Sequence, residues 1–299
     1  MNKREFLLKD RIIKGITEDG FFKVTVVKTT EVVQAAREKH GLSLLSTVLL
    51  GRTLTGTMLL ASELKGEERI NVRFEGNGPV GMIHAEANSV GEIRGYVQHP
   101  EAQLDYTKSK TIGDGIGLGV LTISKTLYNE ARPTQGSVEI VKGNISEDLA
   151  HYLIQSEQVQ SALHLDVGID EDGNISHAGG VLIQALPGAP AENIDRIQEN
   201  FKAMPPLSDQ FSHGLYIDDM LEHMVAPYTI KELDRCPVHF YCRCSRDRFK
   251  DALMMLSAKD LEEISDEGQE LVCHFCNEKY HIGKDEIEVI LIDKKAQLN

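Results

Sequence analysis

All five cysteines of this chain lie between Cys236 and Cys276, and the 235 residues before them hold none. Thiols clustered in this way point to metal or redox chemistry rather than to a disulfide framework spread through a fold. Four of them form two close pairs, Cys242-Arg243-Cys244 and Cys273-His274-Phe275-Cys276, separated by 28 residues. Zinc favours four soft donors in a tetrahedron. A C-x-x-C turn aims two thiolates at one ion, and a second close pair completes the set. The surrounding segment is too short for a large core, so a metal cross-link would supply much of its stability. The residues therefore predict one zinc ion per chain, held by Cys242, Cys244, Cys273 and Cys276. Other readings stay open at this level. The thiols could be bystanders, or Cys273 and Cys276 could form a thioredoxin-type pair, although the βαβ context of that motif is missing. Cys236 could pair with Cys242, and His239, His274 or His281 could replace a thiolate; the preferred reading leaves Cys236 as a free thiol. A disulfide across the C-x-C pair would close a tight, strained ring, and strained disulfides are easily reduced. Such a pair suits a switch better than a permanent staple.

A chain of 299 residues exceeds most single cores, so two or three domains are expected. The pattern predicts an α+β fold with an N-terminal antiparallel-sheet and helix core over 1–186, a helical linker over 187–230 and a small C-terminal zinc-binding domain over 231–299. Residues 21–30 are β-branched and aromatic, as strands are. Residues 31–64 are helical in character, with a break near Gly41. Over 70–75, Ile70, Val72 and Phe74 alternate with polar residues, which marks a half-buried strand. Turns at Gly76-Asn77-Gly78-Pro79 and at 88–91 join it to strands over 80–87 and 92–97, and such short connections make neighbours antiparallel. Further strands are expected over 119–127 and 137–141, then a helix capped by Ser146 and running to about residue 158. A last hairpin spans 162–186, and Pro187-Gly188-Ala189-Pro190 closes the unit. In the linker, Ile194, Ile197, Phe201 and Met204 make one apolar helical face. Phe211, Leu215, Met220, Leu221 and Met224 make a second. This segment is too small for its own core and must pack on something else. In the tail, Ser245 and Ser257 can cap short helices, 271–282 reads as a hairpin bent around the second cysteine pair, and 284–295 reads as a helix.

Two tempting motifs carry no chemistry. Gly113-Asp114-Gly115-Ile116-Gly117-Leu118-Gly119 is followed by Val120-Leu121-Thr122-Ile123, which favours a strand, whereas a dinucleotide loop opens a helix. Asp170-Glu171-Asp172-Gly173-Asn174 has Ile175 where a calcium loop requires glycine, and reads as a hairpin turn. No nucleophile elbow or catalytic triad is recognisable among the scattered histidines.

The formal net charge of −14 makes phosphate backbones and anionic membranes poor partners. Residues 231–250 do carry six Lys or Arg against three acids, enough for a small nucleic-acid patch or for lowering thiol pKa values. The whole tail is nevertheless net negative, so nucleic acid is not expected as a partner. The apolar stretch 42–61 contains Arg52 and many small polar residues, and reads as a buried helix pair rather than a membrane span. The N-terminal residues lack the apolar run of a secretory signal, and a cytoplasmic location is expected.

The C-x-C…C-x-x-C arrangement, together with Gly76-Asn77-Gly78-Pro79, Arg94-Gly95-Tyr96-Val97, Glu147-Asp148-Leu149-Ala150-His151-Tyr152 and Ala178-Gly179-Gly180, resembles the bacterial redox-regulated heat-shock holdases, also called 33 kDa chaperonins. The resemblance runs in order through nearly the whole chain, and Cys236 stands outside it. It implies a chaperone rather than an enzyme. In the reduced, inactive state, zinc would be held by Cys242, Cys244, Cys273 and Cys276. Peroxide or hypochlorite would release the zinc, with disulfides Cys242–Cys244 and Cys273–Cys276 forming. The zinc domain and linker would then unfold. The active form, a homodimer, would hold unfolding client proteins without ATP. Structural zinc contributes about 10–16 kcal/mol to small domains, and whole domains are stable by only about 5–15 kcal/mol. Loss of the metal should therefore unfold the tail. The apolar faces of 190–230 would then be offered to clients, with a newly uncovered surface of the N-terminal sheet as the alternative.

Overall fold

The computed structural model describes residues 9–105, 107, 109–141, 143–207, 210, 216–223, 225–265 and 268–297. Of the linker residues singled out above, Phe211, Leu215 and Met224 lie outside the described residues. By contact the chain divides into two compact units, Met1–Tyr241 and Cys242–Asn299. The expected division at 186/187 and 230/231 is one of role, and returns below as a proposal.

In chain order the first unit comprises β1 (Arg11–Thr17), β2 (Phe22–Lys28), α1 (Thr30–His40), α2 (Leu44–Ala61), β3 (Arg69–Gly76), β4 (Met82–Asn88), β5 (Glu92–Val97), β6 (Gly119–Thr126), β7 (Thr134–Glu139), α3 (Ile145–Ser156), β8 (Ser161–Ile169), β9 (Ile175–Ala185), α4 (Ala191–Lys202), α5 (Ile217–His223), β10 (Ile230–Pro237) and the short β11 (His239–Phe240). A five-stranded sheet has the order β10-β1-β2-β9-β8, and a six-stranded sheet the order β11-β5-β4-β3-β6-β7. Neighbours are antiparallel throughout, except that β11 runs parallel to β5.

The helix α2 lies between the sheets, touching β3, β4 and β5 on one side and β2, β8 and β9 on the other. By length and composition it could cross a membrane, yet 83% of it is buried inside the fold. Its four threonines are accommodated because the hydroxyls of Thr47, Thr53, Thr55 and Thr57 donate to carbonyls one turn back, at 2.7–2.8 Å. Gly56 admits α3 to close range: a Cβ there would stand 2.5 Å from Leu149 Cδ1. The buried helix pair expected over 42–61 is instead one core helix over Leu44–Ala61.

The meander of β3, β4 and β5 follows the alternation expected of it, and β5 covers the expected 92–97. The glycine-rich segment does lead into a strand, β6, and packs backbone-on-backbone against the 76–79 turn. Gly78 N–H donates to Ile116 O at 2.7 Å, and Leu118 N–H to Asn77 Oδ1 at 2.9 Å. The acidic hairpin turn is closed by Asp170, whose side chain accepts from Asn174 N–H at 2.7 Å. One cap differs. The helix α3 starts from Asn144, whose Oδ1 accepts from Ser146 N–H at 3.0 Å, while the Ser146 hydroxyl accepts instead from Leu165 N–H of β8 at 3.1 Å.

The linker packs on the face of the five-stranded sheet turned away from α2. There Ile197, Leu207, Ile217, Met220, Leu221 and Val225 form one buried cluster with Ile13, Phe22, Val24, Val26, Val181 and Ile183. The partner that the apolar faces required is therefore the sheet itself. An ionic tie adds to this. Asp218 of α5 receives hydrogen bonds from Arg11 of β1 and from Arg235 of β10, the latter at 3.0 Å. Burial opposes the Asp218 charge, but the hydrogen bonds and charges of Arg11 and Arg235 outweigh it and hold the carboxyl below its ordinary value. This stabilisation is complete above the unfolded carboxyl pKa and is lost as pH falls through the folded one. The Arg11 side chain is only 4% exposed, so removing its carboxylate leaves a buried charge. Asp218→Ala is expected to cost about 3 kcal/mol and to make 191–223 more sensitive to protease. An unchanged melting curve and cleavage pattern would show that the pair does not hold α5.

Candidate metal centre

The second unit comprises α6 (Arg246–Leu253), α7 (Ala258–Ser265), β12 (Gln269–Val272), β13 (Lys279–Ile282) and α8 (Lys284–Gln297). Its apolar core is small, with Leu253, Leu261, Ile282, Ile287 and Ile290 buried and Ile264, Leu271 and Leu291 packed around them. Ser245 caps α6 by accepting from Arg248 N–H at 3.3 Å. Ser257 accepts from Asp260 N–H at 3.1 Å at the start of α7.

Cys242 and Cys244 sit in the irregular stretch just ahead of α6, and Cys273 and Cys276 in the turn between β12 and β13. Three backbone hydrogen bonds shape that turn. Cys273 N–H donates to Glu278 O at 2.9 Å, and the N–H groups of Cys276 and Asn277 donate to Cys273 O at 3.3 and 2.7 Å. Asn277 completes it at φ +57°, a left-handed conformation that asparagine tolerates better than most residues.

The structure brings the four thiols together: all four Sγ atoms lie within 4.8 Å of one another. Cys242 and Cys273 are 3.7 Å apart, and Cys244 and Cys276 are 3.3 Å apart. With metal–sulfur bonds of about 2.3 Å, a regular tetrahedron has edges of about 3.8 Å. The donor set therefore fits one tetrahedral metal ion. Cys273 and Cys276 are buried and the other two half-buried. Burial pushes the Cys273 and Cys276 thiols up, so a cation is needed to hold all four as thiolates. Three of the basic residues that could supply that charge are engaged by acids. Arg246 and Lys250 both pair with Glu286, and Arg235, in the first unit, pairs with Glu232 and Asp218. Those pairings engage three of the six basic residues of 231–250.

Among the described residues no histidine joins the cluster. His239 belongs to β11 in the first unit, and His274 and His281 are exposed. Cys236 lies on β10, half-buried, with Sγ 4.0 Å from Ser89 O, and burial pushes its thiol up. A contact missed from sequence is Tyr280 of β13, whose hydroxyl stands 3.3 Å from Cys244 Sγ and whose ring packs on Phe249 at 5.1 Å. An aromatic residue in a strand gives no sign of such a role.

Fold and site together define an α+β protein whose C-terminal unit is built around a four-thiol cluster. The family model described as Hsp33 protein matches residues 10–283. A 33 kDa chaperonin of Desulforamulus reducens is 37% identical, over 95% of this chain and 98% of its own. The 33 kDa chaperonin of Bacillus subtilis is 36% identical, over 93% and 97%. The crystal structure of the 33 kDa chaperonin (heat shock protein 33 homolog) of Thermotoga maritima superposes with a TM-score of 0.88 at 32% identity, over 96% of this chain and 99% of that one. This chain belongs to the Hsp33 family.

With so small a core, the second unit should depend on the cluster. Metal removal from the reduced protein by a strong chelator is expected to bring amide exchange in 242–297 close to unfolded rates, while α2 stays protected. Cys273→Ser should do the same without chelator. Protection of 242–297 that survives both treatments would show that the cluster is not what holds the unit.

Proposed function

We propose that this protein is a redox-regulated, ATP-independent holdase chaperone, inactive when reduced and zinc-bound, and active once its cluster is oxidised. The observation that carries the reading is the convergence of four thiols in a unit with little other core. Membership of a family whose relatives are named chaperonins supports a heat-shock chaperone rather than an enzyme. Cys242, Cys244, Cys273 and Cys276 would hold one Zn2+, which when bound keeps four thiolates deprotonated and cross-links the stretch before α6 to the β12–β13 turn.

Oxidation acts on the sulfurs. Each pair of thiolates gives two electrons to a peroxide, an S–S bond forms, the O–O bond breaks, and the oxygens leave as water or hydroxide. The proposed disulfides are Cys242–Cys244 and Cys273–Cys276, although the shortest sulfur contacts join Cys242 to Cys273 and Cys244 to Cys276. The distinction matters physically. Disulfides across the two segments would staple the unit shut, whereas disulfides within each segment take away the donors and leave the segments unlinked. Only the second outcome unfolds the unit.

The role-based division follows: a core over 1–186, a linker over 187–230 and a switch over 231–299. Chain connectivity supplies a route between switch and linker. Cys242 follows β11 by one residue, and β11 follows the edge strand β10, whose Arg235 holds Asp218 of α5. Disorder beginning at Cys242 would fray these short edge pairings and weaken the tie on α5. Linker and sheet cover each other, so one release exposes both apolar surfaces to clients. The active form is proposed to be a cytoplasmic homodimer that binds unfolding proteins, with neither membrane nor nucleic acid as partner.

Reduced protein treated with peroxide at elevated temperature should lose about one zinc per chain, read with a chromogenic chelator. Suppression of client aggregation, read by light scattering, should appear at the same time, and reductant should reverse both. Zinc release without any protection of clients would end the holdase reading. Peptide mapping after oxidation should find the two within-segment disulfides, and cross-segment linkages would overturn the proposed pairing.

A further inference from the structure

The strand β8 runs along one edge of the five-stranded sheet, and its residues Leu163, Leu165 and Val167 are buried toward α2. His164 alternates to the other face. There its ring meets Phe201 of the linker helix α4 in an edge-to-face contact, with centroids 6.1 Å apart and planes at 80°. Its Nε2 is buried and has no hydrogen-bond partner. The charged groups acting on the ring are Asp166, two residues along β8, and Arg52 of α2. Asp166 is already engaged by His177 Nε2 at 3.1 Å and by Arg52 at 3.9 Å, so its charge is shared. Across the sheet, β9 sets the uncharged Val181 opposite His164, and α4 meets the ring with the uncharged Phe201.

An imidazole held this way favours the neutral form. Burial disfavours the charged ring most, Asp166 partly offsets it, and Arg52 adds repulsion, which together hold His164 below its ordinary pKa. The face of Phe201 compensates an imidazolium less than the missing acceptor would.

We propose that His164 is an acid-sensing residue beneath the linker: protonation of its ring loosens α4 from the sheet while the thiol cluster keeps its metal, giving a release route separate from oxidation. The sign follows from linkage. The undocked histidine titrates near pH 6.5 and the docked one lower, so the undocked state binds more protons in between. Docking is thus at full strength above about pH 7 and weakens by up to about tenfold per pH unit below about 6.5. The Asp218 tie is lost only in the carboxylate range, well below this window.

The test is amide exchange of residues 191–204 in the full-length, reduced, zinc-loaded protein between pH 7.5 and 5.5, normalised for intrinsic rates, with bound zinc measured in parallel. Wild type should show a normalised rise of up to about tenfold with zinc retained, and His164→Gln and His164→Phe should stay flat. A flat wild type, a rise that appears only with zinc loss, or an equal rise in both variants, which would assign the response to another group, overturns the proposal. That loosening also yields chaperone action rests on the function proposed above, and an aggregation assay at the same pH values separates the two. A rise in exchange without client protection keeps the acid sensor and removes only the added claim that loosening α4 by itself yields chaperone action, while the oxidation experiment above decides the holdase reading separately.

Discussion

A unit whose buried apolar residues are Leu253, Leu261, Ile282, Ile287 and Ile290 has little with which to oppose the conformational entropy of its chain. Four sulfurs within 4.8 Å of one another therefore carry a disproportionate share of its order, and they do so only as thiolates around a cation. Burial alone would keep Cys273 and Cys276 protonated. Under the proposed function, the folding of this unit would be tied to metal occupancy and to the oxidation state of the same four atoms, and a change in either would reach the whole unit. Most proteins spread their stability over many contacts. This unit concentrates it where an oxidant can act.

The first unit is built on the opposite plan. The helix α2 is sheathed by two sheets, its threonines are satisfied within the helix, and the packing around Gly56 leaves no room for a Cβ. The buried carboxylates of that core are engaged within it, Asp10 accepting from Val32 N–H at 2.8 Å and Asp148 from Val141 N–H at 3.0 Å. The linker stands between these extremes. It adds a real apolar cluster to the sheet, yet part of its hold comes from individual contacts made by titratable side chains, the ion pairs of Asp218 with Arg11 and Arg235 and the ring contact of His164 with Phe201. Contacts of this kind can be undone by a change of charge without disturbing the core beneath.

Different parts of this arrangement were legible in the sequence to different degrees. Local patterns read well: the alternation of Ile70, Val72 and Phe74, the turn glycines, and the spacing of the cysteine pairs all encode their structure within a few residues. The strands β1 and β10 did not read. A register shift at Lys14/Gly15 interrupts their pairing, and β10 exposes almost every side chain, so no period survives. The linker's need for a partner was visible from its apolar faces, but not which partner. The strands β2 and β9 bury both faces over much of their length, although β2 carries Lys23 and Thr25 among its apolar residues, so the second surface they offer is concealed. Tyr280 and His164 were invisible for a related reason, because their significance lies in what another segment places against them.

The linker's composition is consistent with a cover that is meant to leave. The buried side of α4 is supplied by Ile197 with Ile194 and Phe201 beside it, while Glu192, Asp195, Arg196 and Glu199 share the rest of the helix. A segment with this much charge stays soluble when undocked, whereas the sheet face it leaves behind, with Phe22, Val24, Val26, Val181 and Ile183, does not. Under the proposed function, release would create two unlike surfaces from one interface: a fixed apolar sheet and a detached amphipathic segment of chain. An unfolding protein exposes both apolar side chains and unpaired backbone, so a rigid greasy face beside an adaptable segment meets clients of unrelated sequence better than either surface alone.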